Sequence, residues 1–175
     1  MRLIGLSGWS GSGKTTLITA LVPALRARRR TVSTIKHAHH SFDIDKPGKD
    51  SFVHRQAGAE EVLISSNRRW ALMRELRDEP EPSLRELLAR LAPVDLVLIE
   101  GFKRETHPKI EIHRAAVGKP LLYPDDPQVV AIASDPALVG APIPHVSLND
   151  AEAIADLVER HAVLVDDVPW GPLRL

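Results

Sequence analysis

The sequence predicts an α/β protein with a mostly parallel, twisted sheet flanked by helices. Two observations favour this fold class. The apolar runs at residues 94–99 and 129–133 are nearly unbroken, which is typical of strands covered on both faces. Segments with helical apolar spacing lie between such runs, and strands that alternate with helices usually form parallel sheets.

The elements follow from their apolar patterns in chain order. Strands are predicted at residues 2–7, 31–36, 94–99, 109–113 and 129–133, with an inserted β-hairpin at residues 61–65 and 69–74. Helices are predicted at residues 14–29, 50–58, 83–91 and 149–161.

Individual residues mark the helix boundaries. Pro23 lies inside the first helical pattern and predicts a kink or an early helix end. Asp50 is expected to cap the second helix, and Gly58 to end it. Ser83 is expected to start the third helix, because Glu86 follows at the capping-box spacing.

Length and composition indicate one domain over residues 1–165, followed by an irregular tail over residues 166–175. The chain has 175 residues, of which 43% are hydrophobic and 26% charged, as is typical of globular proteins. It has no cysteine, which excludes disulfides and thiolate metal sites. No apolar run suits a bilayer span or a signal peptide, so we expect no membrane association and a cytoplasmic location.

The net charge of zero argues against nucleic-acid binding, but it hides a polarised chain. Residues 1–55 carry ten basic and three acidic residues, whereas residues 121–175 carry two basic and nine acidic residues. We expect the basic third to form an anion site. The alternative is that the acidic end neutralises the basic end in the folded protein.

A glycine-rich motif joins the first strand to the first helix. Residues 8–15, GWSGSGKT, match the phosphate-loop pattern, in which backbone N–H groups converge on phosphate oxygens. Lys14 would face the β- and γ-phosphates, and the Thr15 hydroxyl can ligate Mg²⁺. The motif predicts nucleotide binding on a P-loop NTPase fold. The predicted nucleotide-binding residues here are Gly11, Ser12, Gly13, Lys14, Thr15 and Thr16.

Glu100 leaves the strand predicted at residues 94–99, at the carboxyl edge of the sheet where such sites lie. Asp95 enters the same strand about 16 Å away, at roughly 3.3 Å per residue. We therefore assign Glu100 to the Mg²⁺ shell or to orienting water, so that Lys14 and Glu100 are the predicted catalytic residues. Asp95 is assigned a structural role.

Asp135 follows the strand predicted at residues 129–133, at the same edge. A carboxylate there can accept the N1–H and N2–H of guanine. Asp135-Pro136 is also typical of a turn, and both interpretations stay open.

A histidine-rich segment follows the second predicted strand and has three interpretations: a transition-metal site, a loop for an anionic second substrate, or a solvated loop. The spacing of its histidines and acids is not that of a known metal site. The anion interpretation fits the basic third better, and we favour it. The residues assigned to this loop are Lys36, His37, His39, His40, Asp45, Lys49 and Asp50.

Several motifs occur in a characteristic order. They are WSGSGKTTL at 9–17, IKHAHH at 35–40, DKPGKDS at 45–51, QAGA at 56–59, RWALM at 69–73, LIEGFK at 98–103, PKIE at 108–111 and ASD at 133–135. As a set they closely resemble the molybdopterin-guanine dinucleotide biosynthesis protein B (MobB) family. The resemblance covers the chain to about its last helix.

The resemblance implies a GTP-binding adaptor with weak GTPase activity that assists the guanylyltransferase joining GMP to molybdopterin. GTP and Mg²⁺ would be the ligands, with Glu100 near the metal and Asp135 reading the base. The Asn-Lys residues that usually accompany such an aspartate are missing. The resemblance further implies a homodimer with the hairpin at its interface, and a loop at residues 37–50 facing the substrate, molybdopterin.

Two other functions stay open. A metal-insertion GTPase usually carries cysteine motifs, and this chain has no cysteine. A small-molecule P-loop kinase needs an arginine-rich lid, for which Arg68, Arg69, Arg74 and Arg77 are the nearest candidates. No arginine finger or catalytic glutamine is identifiable beside the phosphate loop, which predicts slow hydrolysis.

Overall fold

The computed structural model describes residues 1–38, 42–136, 138 and 140–171. Within these ranges the chain forms strands, helices and two short 3-10 turns, at Ala115–Val117 and Val165–Asp167. In chain order the strands and helices are β1 (Arg2–Ser7), α1 (Lys14–Ala27), β2 (Val32–Lys36), α2 (Asp50–Gln56), β3 (Glu61–Ser65), β4 (Trp70–Arg74), α3 (Leu84–Leu88), β5 (Leu96–Glu100), β6 (Lys109–Arg114), β7 (Val129–Asp135), β8 (His145–Ser147), α4 (Ala151–His161) and β9 (Val163–Leu164).

The described strands form a main sheet in the order β2-β5-β1-β6-β7-β8. Neighbours in this order run parallel, and β9 pairs antiparallel with the start of β1. The predicted α/β class with a mostly parallel sheet is confirmed, as is the inserted hairpin, which is β3–β4. No helix in the described ranges is both long and apolar enough to cross a bilayer.

Both faces of the main sheet are buried. On one face, Leu21 and Leu25 of α1 and Ile154 of α4 pack against Ile4 and Leu6 of β1. The other face packs against α3 and the segment after β9. Its buried residues are Leu3, Leu84, Leu88, Val97, Ile99 and Val168. Cover on both faces explains why the central strands have nearly unbroken apolar sequences.

Residues 38–83 form a second compact unit that contains α2 and the hairpin. Arg55 of α2 holds this unit together, because its guanidinium pairs with Asp43 at 2.8 Å, Asp45 at 3.3 Å and Glu75 at 2.6 Å. The Arg55 side chain is only 11% exposed, so these contacts are shielded from water. Gly58 follows the end of α2, as predicted.

Some predicted helix boundaries were wrong. Of the two effects predicted for Pro23, a kink or an early helix end, the early end is wrong: α1 continues to Ala27, close to the predicted end at residue 29, because burial of its apolar stripe outweighs the one hydrogen bond that proline cannot donate. Asp50 does not cap α2: it is the first helical residue, where its charge favours the helix dipole, and Lys49 occupies the cap position. α4 begins after Asp150, whose carboxylate accepts from the N–H of Ala153.

The predicted boundary between a domain at residues 1–165 and a tail at residues 166–175 stays a prediction. The first residues of that tail are ordered against the main sheet, since Val168 is 4% exposed and Trp170 donates from its indole to the carbonyl of Val165. Residues 172–175 lie outside the described ranges.

The charge polarity of the sequence is partly cancelled between α1 and α4. Arg28 pairs with Glu152 at 2.8 Å, Asp156 at 2.6 Å and Glu159 at 3.0 Å. Arg30 also pairs with Glu159, at 2.7 Å. For these two arginines, therefore, the acidic end of the chain neutralises the basic end.

β6 carries polar side chains into the interior. Lys109 is 1% exposed and donates to Asp126 at 3.0 Å. Glu111 is 0% exposed and accepts from the backbone N–H groups of Leu122 and Tyr123 at 2.7 and 2.9 Å. These contacts fasten the β6–β7 connection over this part of the sheet.

His107, just before β6, is 0% exposed, and burial, reinforced by Lys109, lowers the pKa of His107 to about 4. A histidine in the unfolded chain titrates near pH 6.5, so the unfolded state takes up the proton first as the pH falls. Neutral His107 therefore makes its full contribution to the free energy of unfolding above about pH 6.5, and this contribution is lost as the pH falls towards 4. Between pH 7.5 and 5 we expect the free energy of unfolding to fall by about 2 kcal/mol more in the wild type than in His107→Asn.

Urea unfolding at both pH values measures this difference. His145→Asn, at an exposed position, is the control and should keep the wild-type pH dependence. Parallel behaviour of the wild type and His107→Asn would contradict the assignment.

Candidate nucleotide-binding site

The loop between β1 and α1 is shaped to bind an anion. Gly11 and Gly13 have φ angles of 81° and 95°, which are left-handed values that favour glycine. α1 begins directly after Gly13 without a side-chain cap. The first N–H groups of the helix are therefore left for a ligand, and the helix dipole favours a negative one.

Lys14 lies over this loop. Its ammonium donates to the carbonyls of Gly8 at 3.0 Å and Trp9 at 2.9 Å. Burial lowers the pKa of Lys14; Glu100 opposes this effect, and Lys103 and Lys36 reinforce it. The lysine is thus held at the loop by neutral carbonyls, contacts that phosphate oxygens can replace with stronger charge-assisted ones.

Predicted site residues from three segments line one cavity of about 390 Å³. Glu100 at the end of β5 is 13% exposed and lies 3.7 Å from Lys36 at the end of β2. The predicted residues that line the cavity are Gly11, Gly13, Lys14, Thr15, Thr16, Lys36 and Glu100. The parallel sheet therefore brings the phosphate loop, a hydroxyl and a carboxylate together.

Asp95 lies at the opposite end of the sheet. Its carboxylate accepts from the backbone N–H and the hydroxyl of Thr31, both at 2.7 Å. These hydrogen bonds lower the pKa of Asp95. Asp95 thus ties the start of β5 to the start of β2, the structural role expected from its position.

Two loop residues face the protein rather than the cavity. Ser12 is 2% exposed, and a Cβ on Gly8 would lie 2.7 Å from its hydroxyl. Trp9 donates from its indole to the carbonyl of Pro120 at 2.8 Å, and the ammonium groups of Lys103 and Lys119 lie 5.2 and 5.8 Å from its ring centre. The Ser12 hydroxyl is therefore buried within the loop, and the backbone N–H of Ser12 donates to the Trp9 carbonyl at 3.2 Å.

The segment after Glu100 is fastened to the end of β2. The backbone N–H of His37 donates to the Glu100 carbonyl at 2.8 Å, and its ring stacks on Phe102 with centres 4.7 Å apart. Gly101 makes this approach feasible, because a Cβ there would lie 2.6 Å from the Cβ of His37. His37 thus helps to define the geometry around Glu100.

The other residues assigned to the anion loop do not form one described cluster. Asp45, Lys49 and Asp50 belong to the second unit, where the Asp45 carboxylate accepts from Ser51 at 2.9 Å and Arg55 at 3.3 Å. His39 and His40 lie outside the described residues. In the part of the chain that is described, no group of three or more histidines and acids is arranged to hold a metal ion.

Asp135 ends β7, and its carboxylate lies 3.6 Å from the guanidinium of Arg114 at the end of β6. Arg114 and Asn149 line a second cavity, of about 170 Å³, which shares Gly13 and Thr16 with the first. Sequence reasoning missed Arg114, although its place at the carboxyl end of a strand is the signal that identified Glu100.

The model of the family described as molybdopterin guanine dinucleotide synthesis protein B (MobB) matches residues 3–135. The chain belongs to the MobB family. A MobB relative from Escherichia coli K12, named molybdopterin-guanine dinucleotide biosynthesis adapter protein, is 45% identical over 159 residues, covering 89% of this chain and 90% of the relative. A relative of the same name from Haemophilus influenzae is 43% identical over 161 residues, covering 90% and 87%.

The fold also matches solved MobB structures. The crystal structure of a molybdopterin-guanine biosynthesis protein B is 27% identical and superposes with a TM-score of 0.70, covering 90% of this chain and 98% of that one. The resemblance noted from the motifs is thus confirmed, together with the P-loop NTPase-like architecture. Membership of the MobB family identifies the chain as an adapter protein of molybdopterin-guanine dinucleotide biosynthesis.

The close packing around Gly101 can be tested by substitution. Gly101→Ala should lower the free energy of unfolding by about 2 to 5 kcal/mol, because left-handed strain adds to the clash with His37. Gly118→Ala is the matched control: its φ is also left-handed, at +66°, but a Cβ there would meet nothing within 4 Å. Its cost should be only about 1 to 2 kcal/mol. Equal losses in urea unfolding would contradict the packing described for His37.

Proposed function

We propose that the chain is a GTP-binding accessory protein with weak GTPase activity that assists the guanylyltransferase attaching GMP to molybdopterin. The observation that carries this proposal is the cavity of about 390 Å³, in which Lys14, Thr15 and Glu100 meet beside an uncapped helix N-terminus. Membership of the MobB family supports the biosynthetic process in this proposal, and the residues of the cavity support the binding of a nucleotide.

Phosphate and Mg²⁺ fit the donors that line this cavity. The loop backbone, the start of α1 and Lys14 offer positive partial and full charges to phosphate oxygens. Thr15 and Glu100 offer the oxygen ligands that Mg²⁺ prefers. We therefore propose that these two residues hold the magnesium ion of a bound nucleotide, and that Glu100 can also orient a water molecule.

Slow hydrolysis is consistent with the same set of residues. Among the described residues, the side chains that line this cavity include no arginine and no glutamine, and Arg114 lines the adjoining cavity, where it lies 3.6 Å from Asp135. Arginine fingers and water-orienting glutamines account for much of the rate in fast P-loop hydrolases. We infer that the site is suited to holding a nucleotide and contributes little to its turnover, as befits an accessory factor.

The anion loop, defined above as seven residues between Lys36 and Asp50, is proposed to contact molybdopterin. Asp45 already accepts hydrogen bonds from Ser51 and Arg55, so we assign it to shaping the loop rather than to a ligand. Lys36 and Lys49 have exposed ammonium groups. Among the described contacts, that of Lys36 approaches Glu100 at 3.7 Å, and Lys49 makes no side-chain cap hydrogen bond to α2. Cations suit an anionic pterin substrate.

The two other functions have less support. Of the arginines considered for a kinase lid, Arg74 pairs with Glu61 and Glu79, at 3.1 and 2.8 Å, and Arg77 approaches Glu60 at 3.5 Å. The guanidinium groups of Arg74 and Arg77 are thus already paired with acidic residues of the second unit. For metal insertion, the sequence has no cysteine, and the described residues contain no cluster of possible metal ligands.

A homodimer is proposed through the outer face of the hairpin. Leu63 and Leu72 are directly paired across β3 and β4, and Trp70 lies on the same face. Their exposures are 61%, 45% and 67%, respectively. Adjacent exposed apolar side chains on one sheet face are typical of a protein interface, and a second copy of the chain is the partner that the family resemblance implies.

The first test of the proposed function is nucleotide binding. Calorimetry should detect GTP binding to the wild type in the presence of Mg²⁺. Lys14→Ala should abolish it, because the phosphates lose their main cationic contact. Arg160→Ala, which removes an exposed positive charge of α4 outside the cavity, is the control and should bind GTP as the wild type does.

The same variants test the accessory role. With purified guanylyltransferase and molybdopterin, GMP transfer should be stimulated by the wild type and by Arg160→Ala but not by Lys14→Ala. If the chain binds GTP but does not stimulate GMP transfer, it is a nucleotide-binding protein, and its proposed role in the transfer is overturned.

The dimer is tested by placing a charge on its proposed interface. Sedimentation velocity should show a dimer for the wild type and a monomer for Leu72→Glu, because the carboxylate would be desolvated in the contact. Leu164→Glu is the matched control: Leu164 is 49% exposed but lies in β9, so this variant should stay dimeric. A dimer that persists in Leu72→Glu would exclude this face as the interface.

A further inference from the structure

The second cavity, of about 170 Å³, continues the phosphate site rather than standing apart from it. Both cavities are lined by Gly13 and Thr16. Beyond these residues the walls of the second cavity are mainly apolar, with Leu17 and Ala20 on one side and Leu148 on the other. A ligand whose phosphates lie on the loop can therefore extend a flat, partly apolar group into this space.

Two opposite charges lie beside this cavity. Arg114 and Asp135 end neighbouring parallel strands and are directly opposite in register, with their charged groups 3.6 Å apart. The Arg114 guanidinium also lies 3.5 Å from the point that a Cβ on Gly13 would occupy. Arg114 thus lies between Asp135 and the phosphate loop.

The pair offers a donor next to an acceptor. An arginine only donates hydrogen bonds, and an ionised aspartate only accepts them. Guanine presents the complementary edge, in which O6 accepts while N1–H and N2–H donate. Adenine presents the reverse order, so its amino group would face Arg114 and its N1 lone pair would face Asp135.

The ion pair is not needed for the fold. The side chains of Arg114 and Asp135 are 37% and 45% exposed, and exposed ion pairs contribute little to stability. Both groups can therefore exchange part of their mutual contact for contacts with a ligand.

We propose that Arg114 is a specificity-determining residue that, together with Asp135, reads the edge of guanine in the cavity between α1 and Leu148. This inference rests on the proposed function, because it needs a nucleotide on the phosphate loop. Arg114 supplies the donor to O6, and it holds the Asp135 carboxylate beside the position of N1 and N2. It takes the place of the Asn-Lys residues that the sequence lacks.

Calorimetry with Mg-GTP and Mg-ATP tests this inference on the full chain. The wild type should prefer GTP, and Arg114→Met should lose about tenfold or more in GTP affinity while its ATP affinity stays within about twofold. Arg114→Lys, which keeps a positive donor, should retain part of the preference. Arg160→Met, at an exposed position of α4, removes the same charge and should behave as the wild type.

Each outcome separates this inference from the proposed function. No GTP binding by the wild type would overturn the proposed function itself. Binding of GTP and ATP with equal affinity by the wild type would leave that function standing and overturn base reading by the pair. An Arg114→Met variant that keeps its preference, or that loses GTP and ATP equally, would overturn the role of Arg114. Thermal denaturation checks that each variant is folded, and Arg114→Ala, which also removes the donor, gives the same comparison if Arg114→Met is not folded.

Discussion

The site depends on one constraint, the parallel register that places Glu100 of β5 between Leu6 of β1 and Lys36 of β2. The backbone of Glu100 is held by strand pairing on both sides, so the distance of its Cα from the phosphate loop is set by the sheet. Asp95 secures the other end of β5 through Thr31, which limits slippage of the strand. Because a shift of one residue would reverse every side chain of the strand, the buried apolar faces also protect the position of Glu100.

The charged residues at the two ends of α1 have different partners. At its carboxyl end, Arg28 and Arg30 are neutralised by acids of α4. At its amino end, Lys14 lies near Lys36 and Lys103, whose effect on the pKa of Lys14 is to lower it, with only Glu100 opposing. Like charges held together raise the energy of a site until an anion enters. Under the proposed function, the basic third of the sequence therefore has two roles, packing at one end of α1 and ligand binding at the other.

Sequence reasoning succeeded where a local pattern determines the structure. The apolar strands, the phosphate loop and the position of Glu100 follow from periodicity, glycine spacing and the rule for parallel strand ends. It failed for the early helix end considered at Pro23 and for the cap assigned to Asp50, where packing and dipole contacts outweighed the local signal. Arg114 was missed although its place at a strand end was visible, because its partner Asp135 reaches it only through the pairing of β6 with β7. The buried Lys109 was missed because its partner Asp126 lies in the β6–β7 connection.

The site has side chains suited to binding a nucleotide but not those that speed its hydrolysis, as expected of an adaptor under the proposed function. Under the proposed function, the loop, Lys14, Thr15 and Glu100 supply what a nucleotide and Mg²⁺ need, whereas the described residues that line this cavity include no arginine or glutamine to stabilise charge developing on a transferred phosphate. A site of this kind favours a long-lived complex over rapid hydrolysis. Under the proposed function, the chain would then act by holding the nucleotide beside Glu100, whose surroundings are already fixed by the hydrogen bond from the backbone N–H of His37 and by the stacking of His37 on Phe102.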